Sequence, residues 1–315
     1  AWFLETFSEE KLELLSNVDN AKVFKVYTEF SPEIGLRWLK RTLKQASNEE
    51  LLNFKGSSGF FSSNGERRYI VWLCEHLACF KEHFWGCEEV LFILAQNETE
   101  LHIANNSKGI WTGLFTLVLS NTETPFLDRF NLLMHRLQNS TVLNISLILD
   151  AIKPVFNGIG SKIVPPKVIG GRIVPEEWRP VNQRELNDLK IVAMKMLISN
   201  LYSIKDERKN IIKYFIIDEL KMFIEFGTID TLKDAIKDYM VEEETKFKLR
   251  NEIEELIYRY NEYGQYINNV EELKIWLEEL SDLSFDGLMK EYLLGDYWSI
   301  YHRKGELAIN KDIDY

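Results

Sequence analysis

Gly170-Gly171-Arg172-Ile173-Val174-Pro175-Glu176-Glu177-Trp178-Arg179-Pro180 is the stretch on which the reading of this 315-residue chain turns. It closes a segment, residues 154–180, that holds five of the seven prolines, Pro154, Pro165, Pro166, Pro175 and Pro180, with Gly158, Gly160, Gly170 and Gly171 among them. Proline and glycine at that density interrupt helices. A disordered linker, however, is poor in Trp, Ile and Val, and this stretch carries all three. It therefore reads as an ordered elbow packed against the helical patterns on either side. The expected organisation is an N-terminal helical array over 1–153, the Pro/Gly-rich elbow over 154–180, a C-terminal helical array over 181–302 and a polar tail over 303–315 that frays.

Outside the elbow, apolar residues recur at three-four spacing and alternating runs are scarce, so the fold class is all-α. Ser31-Pro32-Glu33 opens a helix with a cap, a proline at its first position and an acid near the positive end of the helix dipole, and Leu36, Leu39 and Leu43 follow on one face. Thr124-Pro125 opens the helix of Leu127, Phe130 and Leu133 in the same manner. Tyr69, Trp72, Leu73, His76, Leu77 and Phe80 form one stripe, and Val90 to Leu94 belong to a helix after Gly86. The Ser- and Gly-rich run from Lys55 to Gly65 separates helices. Trp38, Trp72 and Trp111 each lie in a helix followed by a second helical pattern, which suggests an irregular HEAT/TPR-like repeat, an α-α superhelix, HEAT-like more than TPR-like. Beyond the elbow the patterns cover Ile191 to Leu201, then Ile212, Ile216, Leu220 and Phe223, a charged helix near Glu242–Tyr260, a helix carrying Leu273, Trp276, Leu277 and Leu280, and a short one from Leu288 to Leu294.

With 49 acidic and 38 basic residues the chain is acidic, and 28 of the acids but only 19 of the bases lie from residue 181 onward. That balance provides no electrostatic footprint for a phosphate backbone or an anionic membrane, although local basic grooves are compatible with it. No apolar run approaches the roughly 18–20 residues of a membrane span. Cys74, Cys79 and Cys87 show no disulfide-framework spacing, so a reducing, cytoplasmic setting is expected. The chain begins Ala1-Trp2-Phe3 with a helical pattern close behind, and we expect a piece of a longer polypeptide.

Candidate chemistry is sparse. Cys74, His76, Cys79, His83 and Cys87 are the densest set of zinc-type ligands, with Cys79 and His83 one helical turn apart, but no second Cys-x-x-Cys pair exists, and buried cysteines acting as small hydrophobes account for them. No metal is expected. Arg129 and His135 resemble the Arg-x(4–6)-His motif of HEPN ribonucleases, in which Arg stabilises phosphate and His transfers protons; Phe130 stands where that family commonly has a polar residue. Gly158-Ile159-Gly160-Ser161-Lys162 lacks the order of a phosphate loop, so no nucleotide cofactor is expected. Glu242, Glu243, Glu244, Glu252, Glu254 and Glu255 alternate with Lys246, Lys248 and Arg250 as on a solvated helix face. No Gly-x-Ser-x-Gly elbow is present.

One group of residues forms a signature: Asn97-Glu98 with Asn105-Asn106-Ser107, then Trp111 with Leu114-Phe115, then Leu119-Ser120-Asn121-Thr122 with Pro125 and Arg129. Asn and Ser before an apolar helix cap it, Trp111 and Phe115 share one face, and Thr124-Pro125 starts the next helix. Followed by the Gly-Gly-Arg and Pro-Glu-Glu-Trp-Arg-Pro elbow, this set is similar to the helical C-terminal regions of large bacterial STAND-type P-loop ATPases, several of which act in antiphage defence. The resemblance covers about residues 30–200. In that family the ATPase and effector lie upstream and the helical array senses a target protein. The resemblance thus implies a non-catalytic recognition region whose partners are a protein, in that family's manner a phage one, and the upstream domains of the same polypeptide. It carries no ATP hydrolysis over, because Walker motifs and an α/β domain are missing here. Trp111, Phe115, Arg129, Arg172, Trp178 and Arg179 are the candidate recognition and structural residues. Trp178 is expected to fill a groove between helices, and Arg172 or Arg179 to satisfy helix-end carbonyls. The alternatives are a helical ribonuclease using Arg129 and His135, and a self-assembly module joined through exposed apolar patches.

Overall fold

The computed structural model describes residues 7–54, 65–100, 102–103, 105–157, 165–204, 206–226, 229–236, 243–263 and 270–280. The sequence features at 1–3, 55–64, 158–162, 288–294 and 303–315 lie outside them. Among the described residues the chain is mostly helical, with one two-stranded hairpin. No described helix is long and apolar enough to cross a membrane. Contacts divide the chain into two units, Ala1–Ala193 and Met194–Tyr315.

In the first unit a short 3-10 turn, Leu12–Leu15, precedes α1 (Val18–Phe30), α2 (Pro32–Gln45) and α3 (Asn48–Asn53). Asn17 caps α1 by accepting from the backbone of Asp19 and Asn20. Ser47 and Glu50 form a reciprocal capping box on α3. Leu36, Leu39 and Leu43 are buried on α2, as their spacing predicts. Phe7, Phe24 and Trp38 meet as an aromatic trio with centroids 5.1–5.2 Å apart, and Trp38 Nε1 donates to the Phe7 carbonyl at 3.0 Å.

Next come α4 (Glu66–Leu77) and α5 (Lys81–Gln96), stacked so that α1 packs on α4 and α2 on α5. Gly86 lies inside α5 and marks no helix start. Its missing side chain lets α2 approach, since a Cβ there would lie 3.2 Å from Leu36 Cδ1. The expected α4 stripe is split: Ile70, Leu73, Cys74 and Leu77 enter the core, while Tyr69, Trp72 and His76 are only half-buried. Helix α6 (Ser107–Gly113) packs on α5 and on α8 (Val142–Asn157), and α7 (Phe126–Asn139) packs on α8. Phe126, Phe130, Leu133 and Leu137 are the buried face of α7, and Leu127 is left outside.

Helix α8 continues to Asn157 with Pro154 in its interior, so the helical array runs past residue 153. The described part of the elbow, residues 165–180, is a component of the first unit. It holds β1 (Val168–Ile169) paired antiparallel with β2 (Arg172–Ile173) across Gly170-Gly171, both at positive φ. Val-Ile-Gly-Gly-Arg-Ile is the pattern of a two-residue hairpin loop, in which glycine alone adopts both left-handed positions without strain.

The division between the units falls within α9 (Gln183–Ser203). In the second unit α10 (Arg208–Asp218), α11 (Leu220–Phe226) and α12 (Ile229–Ile236) precede α13 (Glu243–Tyr263) and α14 (Val270–Leu280), which pack on one another. Ile212, Ile216, Leu220 and Phe223 are buried, with Glu219 breaking the helix between them. Leu249, Ile253 and Leu256 line the buried side of α13.

Candidate functional site

Five of the six residues singled out in the sequence gather around one irregular loop, residues 114–125. Arg129 reaches it from α7 and is fully buried. Its Nη1 donates to the carbonyls of Leu114 and Thr116 at 2.5 and 2.8 Å, and its Nε to that of Thr124 at 2.9 Å. Burial pushes the guanidinium down to about 9, against the pull of Glu177, so it stays charged at neutral pH. The elbow closes the loop from outside. Trp178 N donates to the Thr122 carbonyl at 2.8 Å, and Glu177 Oε2 accepts from Asn121 N at 3.1 Å. These bonds hold Leu119 and Asn121 at φ 61° and 59°, which side chains rarely adopt.

Trp111 Nε1 donates to Glu88 Oε1 at 2.8 Å, its ring meets Phe115 at 5.1 Å, and both residues are fully buried. Glu88 is claimed in turn by Arg136, which binds both of its oxygens at 2.6 and 2.5 Å and stacks 4.0 Å from the Phe92 ring. Asn106 caps α6 as the signature predicts, its Oδ1 accepting from Gly109 N at 2.7 Å, whereas Ser107 Oγ donates to Glu98, which also accepts from Lys108 N.

Two expectations are corrected. Trp178 fills no groove between helices; it is half-buried and stacks on Phe126 at 6.5 Å. Nor do Arg172 and Arg179 serve helix-end carbonyls. Arg179 is largely exposed, 3.8 Å from Glu177, and Arg172 lies 4.2 Å over the Phe80 ring with Nη1 2.8 Å from His83 Nε2. The carbonyl-binding role belongs to Arg67, which sequence reasoning missed. Fully buried at the start of α4, it donates to Leu51 and Phe54 at the end of α3 and to Leu94 and Asn97 at the end of α5. Its signal was faint: an Arg-Arg pair on a face otherwise made of Ile, Leu and Cys.

His135 is exposed on α7, so the structure does not bring it to the buried Arg129. Cys74, Cys79 and Cys87 are all buried; burial, and then Cys74, push the Cys87 thiol far above its usual range. Among the described residues no three of His, Cys, Asp and Glu are placed to hold a metal ion.

The surface has one feature that none of these networks uses. Val23, Val26 and Phe30, spaced three and four apart on α1, are 43%, 53% and 66% exposed. Val26 forms one wall of a cleft of about 600 Å³ between α1 and α4, whose other lining includes Lys22, Lys25, Tyr69, Trp72 and His76. Tyr69 and Trp72 meet edge to face at 5.5 Å, and Lys22 stands 5.8 Å over Tyr69. At its floor His76 Nδ1 and Lys25 Nζ both reach Glu29 Oε1, at 2.8 and 2.5 Å. Burial alone would raise the Glu29 carboxyl, but those two partners together hold it below the usual carboxylate range. No protein-family model matches the chain, and neither a curated protein nor a solved structure matches it.

Proposed function

We propose that this chain is a non-catalytic helical recognition region, of the HEAT/TPR-like stacked kind, that binds a protein partner and forms the target-sensing part of a larger bacterial defence ATPase in the cytoplasm. The observation that carries the reading is the α1 surface. A body that commits its buried arginines to its own carbonyls leaves Val23, Val26 and Phe30 in solvent beside an aromatic cleft. Exposed apolar groups gathered on one face, rimmed by charge, mark protein-contact sites. Support also comes from the pairing of α1 with α4 and α2 with α5, the layered arrangement by which helical repeats present a continuous surface. The signature residues support the defence-ATPase reading through their resemblance to that family, and the roles they take here are structural, as that resemblance implies.

The test is site-specific photo-crosslinking in the full-length protein under phage challenge. A photoreactive side chain replaces Val26, or, as control, Leu143, which is 90% exposed on α8. Discrete adducts at position 26 that vanish in Phe30→Glu and are missing at 143 support the reading. An adduct with the mass of a second copy assigns the face to self-assembly instead, and no adduct above the control overturns it.

A further inference from the structure

We propose that Arg172 and His83 form a pH-sensitive latch, which holds the β1–β2 hairpin on the first unit while His83 is neutral and releases it when His83 takes up a proton. The geometry dictates the protonation state. A guanidinium has five N–H donors and no acceptor, so a 2.8 Å approach of Arg172 Nη1 to His83 Nε2 requires a lone pair on that nitrogen. His83 is then the neutral tautomer with its proton on Nδ1. Once protonated, both ring nitrogens donate, and the contact becomes one between two cations with nothing to share.

The surroundings decide how readily this happens. His83 is buried at the start of α5, and burial is the main influence lowering its affinity for a proton. Glu82 raises that affinity, its Oε1 3.6 Å from His83 Nε2 and 3.4 Å from Arg172 Nη1; Arg172 lowers it; and Glu33 on α2 raises it. Further along α2 the cleft shared with His83 is lined by Arg37, Lys40, Arg41 and Lys44. Of these, Lys40 and Lys44 are bound to Glu89 and Arg41 to Glu10, while Arg37 adds an exposed positive charge. The net direction is downward.

Arg172 is the polar tie between the hairpin and α5. The hairpin has two residues per strand, and an isolated two-stranded ribbon is marginal in water. Besides Arg172, the hairpin meets the body through Ile169, buried on β1, through Phe30 beside Gly171, and through the approach of the Gly170 backbone to the Glu29 carbonyl, so tight that a Cβ at 170 would sit 1.7 Å from that oxygen; the Phe80 ring lies beneath the Arg172 guanidinium. Loss of the Arg172 contact then loosens the hairpin, an opening read at the Val174 N–H to Lys167 carbonyl bond that follows β2.

The sign follows from linkage. A histidine depressed in the folded state contributes stability that is present above its ordinary value near 6.5 and lost as pH falls below it. Two measurements on the full chain test the latch: NMR titration of the five histidines, with His83 assigned by substitution, and hydrogen exchange of Val174 N–H corrected for intrinsic rates. His83 titrates below 6.5 in the wild type. Protection of Val174 falls by up to about tenfold for each pH unit of that depression, in the window beneath 6.5. In Arg172→Ala the His83 midpoint moves up and Val174 is poorly protected at every pH. In His83→Gln, which keeps an acceptor but cannot titrate, the pH step disappears while protection remains. A His83 midpoint at or above 6.5 with Arg172 in place, or wild-type protection flat between pH 7.5 and 5, overturns the proposal.

Discussion

Irregular backbone in the first unit is held by Arg67 and Arg129, which see no water, whereas the regular backbone of α13 and α14 in the second unit carries ion pairs that do. Arg67 and Arg129 are both 0% exposed, and every carbonyl they bind lies at a helix end or in a loop. In α13, by contrast, Arg259 and Glu255 pair one turn apart at 44% and 51% exposure, and Lys274 pairs with Glu271 in the same way on α14. The difference follows from where carbonyls go unpaired. A helix interior satisfies its own, whereas helix ends and loops that turn inward must be supplied with donors. A guanidinium offers several donors in one plane, enough to serve three or four carbonyls from different elements at once. Charge inside the first unit is thus a consequence of its loops being inside.

The most severe way to break this contrast is to remove a buried donor hub. Arg129→Met keeps much of the side chain's volume but leaves the Leu114, Thr116 and Thr124 carbonyls without their donor, in a loop already carrying two left-handed residues. We expect it to lower the stability of the first unit by about 3–5 kcal/mol, from the cost of stranded buried polar groups. Arg129→Lys recovers only part of it, since an ammonium cannot copy the fork. Chemical denaturation followed by tryptophan fluorescence measures both. A loss under about 1 kcal/mol for Arg129→Met shows that the loop holds itself.

Next in size is Gly170→Ala. The new methyl meets the Glu29 carbonyl and the residue must keep φ 55°, so we expect a cost of about 1–3 kcal/mol, confined to the hairpin and read as loss of Val174 amide protection. Trp178→Ala follows, at about 1–2 kcal/mol, because a half-buried ring on Phe126 has less to lose than the 3–5 kcal/mol of a fully buried one. Differential scanning calorimetry distinguishes it from the wild type. An unchanged melt would mean that the Trp178 N–H to Thr122 bond alone holds the strap.

These sites also show what the sequence makes legible. Helices with uninterrupted three-four patterns, such as α2 with Leu36, Leu39 and Leu43, are visible because burial imposes periodicity on every turn. The Asn106 cap is visible for a similar reason: it sits three residues before the amide it binds. Arg67 has no such offset. Its carbonyl partners are 13 to 30 residues away, at the ends of two different helices, and nothing local distinguishes it from a solvent-facing arginine. Gly86 misleads for the opposite reason, because a glycine that admits Leu36 looks locally like one that ends a helix. The elbow is legible as ordered, but its hairpin is not read from the all-α pattern, and that it lies along the loop at 119–124 depends on pairings some 56 residues apart. The surface of α1 is legible last: Val23, Val26 and Phe30 carry the same spacing as core residues, and only packing shows that no described helix covers them.

The smallest expected effect sharpens the contrast from the other side. Arg259→Ala removes a cation that pairs with Glu255 across one turn of α13, where both groups are about half exposed. In water an ion pair of this kind gains little over two solvated charges and gives up side-chain freedom to form, so the expected cost is at most about 0.5 kcal/mol. What remains of it should fade further with added salt, since the Debye length at 1 M is about 3 Å. Urea denaturation of the wild type and variant at low and high salt measures the difference directly. If Arg259→Ala costs as much as Arg129→Met, then burial is not what makes the first unit's charges matter, and the two units are stabilised in the same way.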